Sequence, residues 1–164
     1  MARWAIAIGL TAVLAFAAIT DVRVRRIPNW TVLACLGLFA GWALVHPLSW
    51  DLWALGAGAI AFAVSFVLYS MGLVGAGDSK LFAAVALFTG MGGLLLLALA
   101  TAVVGGVVAV IGLVVRPTRG LALLTMKGKG DFGPGVPYGV AIAAATAGII
   151  WADLLHLAPL PGLA

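Results

Sequence analysis

Five carboxylates make up the whole acidic complement of this sequence: Asp21, Asp51, Asp78, Asp131 and Asp153, with no Glu anywhere. The other candidates for chemistry are His46, His156 and Cys35. Two of the aspartates stand in polar stretches with unusual neighbours. Asp21 opens the run Asp21-Val22-Arg23-Val24-Arg25-Arg26-Ile27-Pro28-Asn29, and Asp78 closes Gly75-Ala76-Gly77-Asp78, just ahead of Ser79 and Lys80. Two carboxylates that approach closely cannot both ionise, so they share one proton. The charged member then acts as general base on a water, and the protonated member donates to a scissile carbonyl oxygen. Such a pair needs no metal and no nucleophilic side chain, so no cofactor is expected. A lone Cys35 forms neither an intrachain disulfide nor a zinc site.

Each motif also has a plain structural alternative. Asp21 sits at the C-terminal end of a helical run, the negative end of the macrodipole, where a carboxylate is disfavoured. A salt bridge to Arg23 or Arg25 would offset that, and Pro28 would then simply begin the next helix. Asp78 has the right type for a helix N-cap, with Gly75 and Gly77 supplying backbone angles closed to other residues. For Lys80 the bland role is snorkelling to the headgroups. The sharper one is to hold a carboxylate ionised or to meet an acidic residue of a substrate. Asp51 is expected to cap a helix, Asp131 falls in a flexible basic stretch, and Asp153 is expected to pair locally with His156.

The elements that carry these residues are read from composition. Apolar residues make up 65% of the chain and charged ones 9%, against nearly half and about a quarter in a soluble domain. The apolar residues come in long runs, which span bilayers, and the 164 residues form a single domain, 1–164. Spans are expected at Trp4 to Thr20, Trp30 to Val45, Trp53 to Val74 and Val136 to Leu157. Leu81 to Val115 would be roughly 52 Å long as one helix, too long for one upright crossing of a core of about 30 Å. Gly90-Met91-Gly92-Gly93 divides it into a short helix ending near Thr89 and a longer one. The expected fold is therefore an all-α membrane bundle of about six transmembrane helices.

Charge orients it. With the Arg23-Arg25-Arg26 loop on the cytoplasmic side, six spans also bring Lys80, Arg116, Arg119, Lys127 and Lys129 there, leaving only Arg3 outside. Both termini are then non-cytoplasmic, and Asp21 and Asp78 lie at one depth on the cytoplasmic face. The net charge of +4 reads as topology signal and lipid contact rather than nucleic-acid binding. A cleaved signal peptide over Met1 to Ala18, with Ala15-Phe16-Ala17 as its small-residue site, is the competing reading, but it would send the arginine cluster outward. Gly37 and Gly41, with Gly56, Gly58, Gly105 and Gly106, suggest close helix packing. The long loop Arg116 to Pro134 contains Leu121 to Met126, which suits the membrane surface.

Taken together, D-x-R-x-R-R-I-P-N after a first span and G-x-G-D-x-K before a short apolar helix resemble the type IV prepilin peptidases. Val136-Pro137-Tyr138-Gly139 at the start of the last span looks like a third family feature, although the family often has a second proline where this chain has Val140. The resemblance covers nearly the whole chain. It implies a membrane aspartic endopeptidase of the bacterial inner membrane that removes short basic leaders from prepilins or pseudopilins at the cytoplasmic face, cutting after a Gly just before the apolar pilin helix. Asp21 and Asp78 fall at the two catalytic positions. Gly75, Gly77, Lys80, Pro28, Asn29, Pro137, Tyr138 and Gly139 are expected to shape the site or bind substrate. Larger members carry a cysteine-paired cytoplasmic domain and methylate the new N-terminus. This chain has no cysteine pair and looks like the short form that serves tight-adherence (Flp-type) pili, without methyl transfer.

Two other classes fit the bare composition. A small proton-coupled transporter would use the aspartates as relay groups, but relays sit near the midplane, and these spans carry no ionisable group between their ends. A pilus-assembly scaffold would use them structurally. The oligomeric state is not legible in the sequence.

Overall fold

Away from water, backbone N–H and C=O groups must satisfy one another, and the helix does this within one segment. The structure, a computed structural model, describes residues 2–44, 48–115 and 137–157, and the regular structure among them is entirely helical. The helices are α1 (Ala2–Val24), α2 (Asn29–Ala43), α3 (Leu48–Ser70), α4 (Ala76–Val115) and α5 (Tyr138–Leu154). Three stretches, Arg3–Val24, Leu52–Ser70 and Ala76–Gly112, are long and apolar enough to cross a membrane; α2 and α5 are apolar but shorter.

The six expected spans correspond to five described helices, because the fourth and fifth are two arms of α4. The arms meet at Gly90, which has φ 59° and ψ −174°, a backbone region open essentially to glycine alone. The reading of Arg116 to Pro134, including Leu121 to Met126 and Asp131, falls outside the described residues, as do His46 and the capping contact expected of Asp51.

The first arm of α4 is the axis of the bundle. Leu81 and every residue from Ala84 to Thr89 are buried, and α2, α3 and α5 all pack on α4. A helix apolar all round belongs in such a place. Phe88 is held edge-on by Phe39 and Trp42 of α2, at 5.6 and 6.1 Å between ring centres. Asp78 thus stands at the head of this buried arm. The turn before it is set by α3, which ends in a glycine cap: Gly72 has φ 73°, its N–H donates to Tyr69 O and the Leu73 N–H donates to Leu68 O, the Schellman pattern.

Asp21 is carried by a different pair. The buried positions of α1, Ala7, Leu10, Leu14, Ala17 and Asp21, advance in alternating steps of three and four. So do Gly139, Ile142, Thr146, Ile149 and Asp153 on α5. This is the spacing of a coiled-coil seam, and the two helices pack along it. Its ends are closed by polar contacts. Asp153 is buried and pairs with Arg3 at 3.3 Å, Trp151 Nε1 donates to Thr11 Oγ1 at 3.0 Å, and at the opposite end α5 reaches Asp21. The local Asp153–His156 pair expected from the sequence is therefore replaced by a pair between helices; the His156 N–H donates to the Asp153 carbonyl instead. Arg3, the one basic residue off the pattern of the others, is the counter-charge of a buried carboxylate and also lies 5.7 Å over the Trp42 ring.

Removing that counter-charge leaves Asp153 buried with less compensation. Arg3 is 39% exposed, so the expected cost of Arg3→Gln is about 1–2 kcal/mol rather than the larger penalty of a fully buried pair. It should appear as a lower thermal midpoint in detergent, with much of it restored by combining Arg3→Asp with Asp153→Arg.

Only some of the glycines pack as expected. A Cβ on Gly58 would lie 2.5 Å from Leu87 Cδ2, and one on Gly105 would lie 3.5 Å from Tyr138 Cε1. A Cβ on Gly37, Gly41 or Gly106 would meet nothing within 4 Å, because α2 turns Thr31, Cys35, Phe39 and Trp42 inward and its G-x-x-x-G face away from the bundle.

Candidate active site

Asp21 lies within the last turn of α1, not beyond it, because the helix runs on to Val24. The chain leaves the helix at Arg25, which takes φ 56° and donates its N–H to the Asp21 carbonyl at 3.0 Å. This is the left-handed cap usually given to glycine. The Asp21 side chain is 7% exposed, and its Oδ2 accepts a 2.9 Å hydrogen bond from the Gly139 N–H. Arg25 lies within electrostatic reach, so the expected basic neighbour is present, but the direct partner is the head of α5. That resolves the difficulty posed by the sequence. A carboxylate at the negative end of its own helix is stabilised by the unsatisfied N–H groups at the positive end of another.

The approach is possible only because residue 139 has no side chain. A Cβ there would lie 2.8 Å from Asp21 Oδ2 and 3.1 Å from its Cβ and Cγ. Pro137 forms the N-cap of α5, and the Val140 N–H donates to its carbonyl at 3.1 Å, a bond that a proline at 140 could not make. Tyr138 turns its ring against Gly105 on the second arm of α4.

Asp78 is the third residue of α4 rather than its N-cap. Its carboxylate reaches back to the Gly75 N–H, the return half of a capping box, while the Ser79 N–H donates to Gly75 O at 3.0 Å. Gly75 and Gly77 do not take left-handed angles, so the expected reason for them is corrected: they supply space. A Cβ on Gly75 would lie 2.8 Å from Asp78 Oδ2, and one on Gly77 would lie 3.1 Å from the Ile27 Cβ. With Oδ2 turned toward Gly75, Oδ1 is buried and receives no hydrogen bond from any described residue. Asp78 therefore caps the helix start from its third position, not from the N-cap position read from the sequence, and uses one of its two oxygens.

The remaining contacts bind the motifs into one cluster. Ile27, from the Asp21 motif, packs on Gly77. Lys80 Nζ donates to Asn29 Oδ1 at 3.4 Å, and Pro28 is the N-cap of α2, one position earlier than expected. Ser79 Oγ donates to Ser65 O at 3.1 Å while Ser65 Oγ donates to Ser79 O at 3.3 Å, tying the turn to α3. Sequence reasoning gave Ile27, Ser65 and Ser79 no role. The two serines were legible only as small polar residues, and their pairing depends on the hairpin that joins α3 to α4.

The result brings Asp21 and Asp78, from helices distant in sequence, within electrostatic reach of each other. One oxygen of each is engaged by a backbone N–H at a helix start, and one oxygen of Asp78 is left for another partner. Two carboxylates within such reach influence each other's ionisation. No curated protein and no solved structure matches the chain. A family model for type IV leader peptidases matches residues 8–110, a segment that includes both aspartates and most of the chain, and on that match the chain belongs to the type IV leader peptidase family.

Proposed function

We propose that this chain is a membrane-embedded aspartic endopeptidase that cleaves the short basic leader from prepilins or pseudopilins at the cytoplasmic face of the bacterial inner membrane, with Asp21 and Asp78 as its catalytic pair. The observation that carries this reading is the convergence of these two carboxylates at adjacent helix ends, with Asp78 Oδ1 buried and unpartnered among the described residues. In the proposed reaction the pair holds one proton and one water. The ionised member takes a proton from the water as it attacks the carbonyl carbon of the scissile bond. The protonated member donates to the carbonyl oxygen, and the tetrahedral adduct collapses with proton transfer to the leaving amine.

Purified protein in detergent, mixed with a prepilin, tests the reading: a new N-terminus just before the apolar helix is expected. The rate should pass through a maximum with pH. On the acid side the base becomes protonated, and on the alkaline side the acid loses its proton, so both limbs fall, and the two apparent ionisations belong to the pair. Cleavage that keeps rising on the alkaline side would remove the protonated member from the mechanism.

A further inference from the structure

α4 carries one aspartate at its start and later meets the helix that holds the other. As a straight helix it would put Gly105 about 40 Å from Asp78. Gly105 instead lies against α5, where a Cβ on it would be 3.5 Å from Tyr138 Cε1 and 3.6 Å from the Ala141 Cβ. Tyr138 adjoins Gly139, whose N–H holds Asp21, and Asp21 is within electrostatic reach of Asp78. The second arm of α4 therefore comes back toward the end from which the first arm left. Residues along the way agree. Phe82 of the first arm and Ala98 of the second border one depression together with Ile60 and Val64 of α3, although about 24 Å of straight helix would part them. The reversal is made at Gly90, with φ 59° and ψ −174°, angles that a residue with a Cβ adopts only under strain.

We propose that Gly90, at the end of the bundle remote from the aspartates, is a positioning residue for them, acting through the returning arm and its contact at Gly105. This rests on the peptidase reading above and adds what sets the spacing of the pair. Asp78 is fixed to the first arm, which is tied to α3 by Ser65 and Ser79 and buried along its length. Asp21 is held by the head of α5, and α5 packs on both α1 and α4. The bend is therefore a joint between the support of one carboxylate and a support of the other. Its lever is long. The second arm covers about 22 Å from Gly90 to Gly105, so a change of about 10° at the bend carries Gly105 sideways by about 4 Å. A displacement of about 1 Å at reacting groups already costs about a hundredfold in rate. The joint is also held firmly, since Phe88 and Thr89 beside it are buried and Phe88 is gripped by Phe39 and Trp42.

The test uses the full chain in detergent with a prepilin as substrate. Gly90→Ala is compared with Gly92→Ala, at an exposed position without a positive φ, and with Arg3→Gln, which weakens the same end of the bundle beside Trp42. Gly90→Ala is expected to lower kcat at least about tenfold with KM within about twofold, the pattern of an effect at the reacting groups rather than on binding. Gly92→Ala should stay near wild type, and Arg3→Gln should lose thermal stability without that loss of kcat. In a Cys35→Ala background, Lys80→Cys and Val107→Cys, at exposed positions on either side of the bend, carry spin labels that report the two arms directly. Their separation should fall well below the roughly 40 Å of a straight helix and should move by at least about 3 Å in Gly90→Ala. If Gly90→Ala does not fold, Gly105 decides in its place. Gly105→Ala, at ordinary contact distance, should be tolerated, Gly105→Leu should displace Tyr138 and lower kcat at least about tenfold, and Gly106→Leu, with nothing within 4 Å, should not. A Gly90→Ala kcat no lower than that of Arg3→Gln, an unmoved label distance, a straight-helix separation, or equal kcat in Gly105→Leu and Gly106→Leu overturns the proposal. A wild-type chain that leaves the prepilin uncut is instead the failure of the peptidase reading, and the label distances then still judge the bend.

Discussion

Asp78→Asn is expected to reduce prepilin cleavage at least a thousandfold with the protein still inserted and folded, and Asp21→Asn is expected to do the same. Asn keeps the size and the hydrogen-bond acceptor that Gly75 and Gly139 address, so the helix starts survive. It cannot exchange a proton, and general acid–base steps contribute about 10²–10⁴-fold each. Two aspartates acting as one unit also give non-additive losses, so the double variant should be no worse than either single one. Asp51→Asn and Asp131→Asn should keep most activity, and Asp153→Asn should lower thermal stability more than rate, since its partner is Arg3. Single-turnover kinetics on purified variants reads this directly. Near-normal cleavage by Asp78→Asn would end the paired-carboxylate mechanism.

Gly139→Ala should be nearly as damaging without touching either carboxylate. The added methyl would stand 2.8 Å from Asp21 Oδ2, so either the carboxylate rotates off the Gly139 N–H or the head of α5 withdraws. A displacement of about 1 Å at reacting groups can cost about a hundredfold in rate, and a loss of that order in kcat is expected with KM little changed. Gly148→Ala, on the same helix with nothing within 4 Å, should be silent and should separate this effect from general helix stiffening. A Gly139→Ala enzyme with wild-type kcat would show that the Gly139 contact is not needed for catalysis.

The residues around these two positions show what a sequence can and cannot reveal. The helical class, the apolar runs and the break at Gly90 were legible because length, hydropathy and glycine clustering are local properties. The Asp21 and Asp78 motifs were legible by residue type, but how near the two lie to each other at rest was not. What escaped is what depends on neighbours far away in sequence. Gly75 and Gly77 read as angle-givers, yet they make room for Asp78 and Ile27. Asp153 read as the partner of His156 because helix spacing favours near residues, and it found Arg3 across the bundle. Gly139 stood in a recognisable motif, but its use as the donor to Asp21 follows only from the register of the α1–α5 seam.

That register has a consequence for what counts as the minimal enzyme. The family match ends at residue 110, whereas the N–H group that holds Asp21 belongs to residue 139. A fragment stopped at Gly112 would contain the matched segment and both aspartates, yet one flank of α1 would be bare, and its last polar position would face nothing in place of α5. Kinship and competence are therefore not coextensive along this chain. The portable unit is the bundle with its closing helix, and a graft or truncation designed from the matched boundaries would carry both aspartates without the strut that holds Asp21.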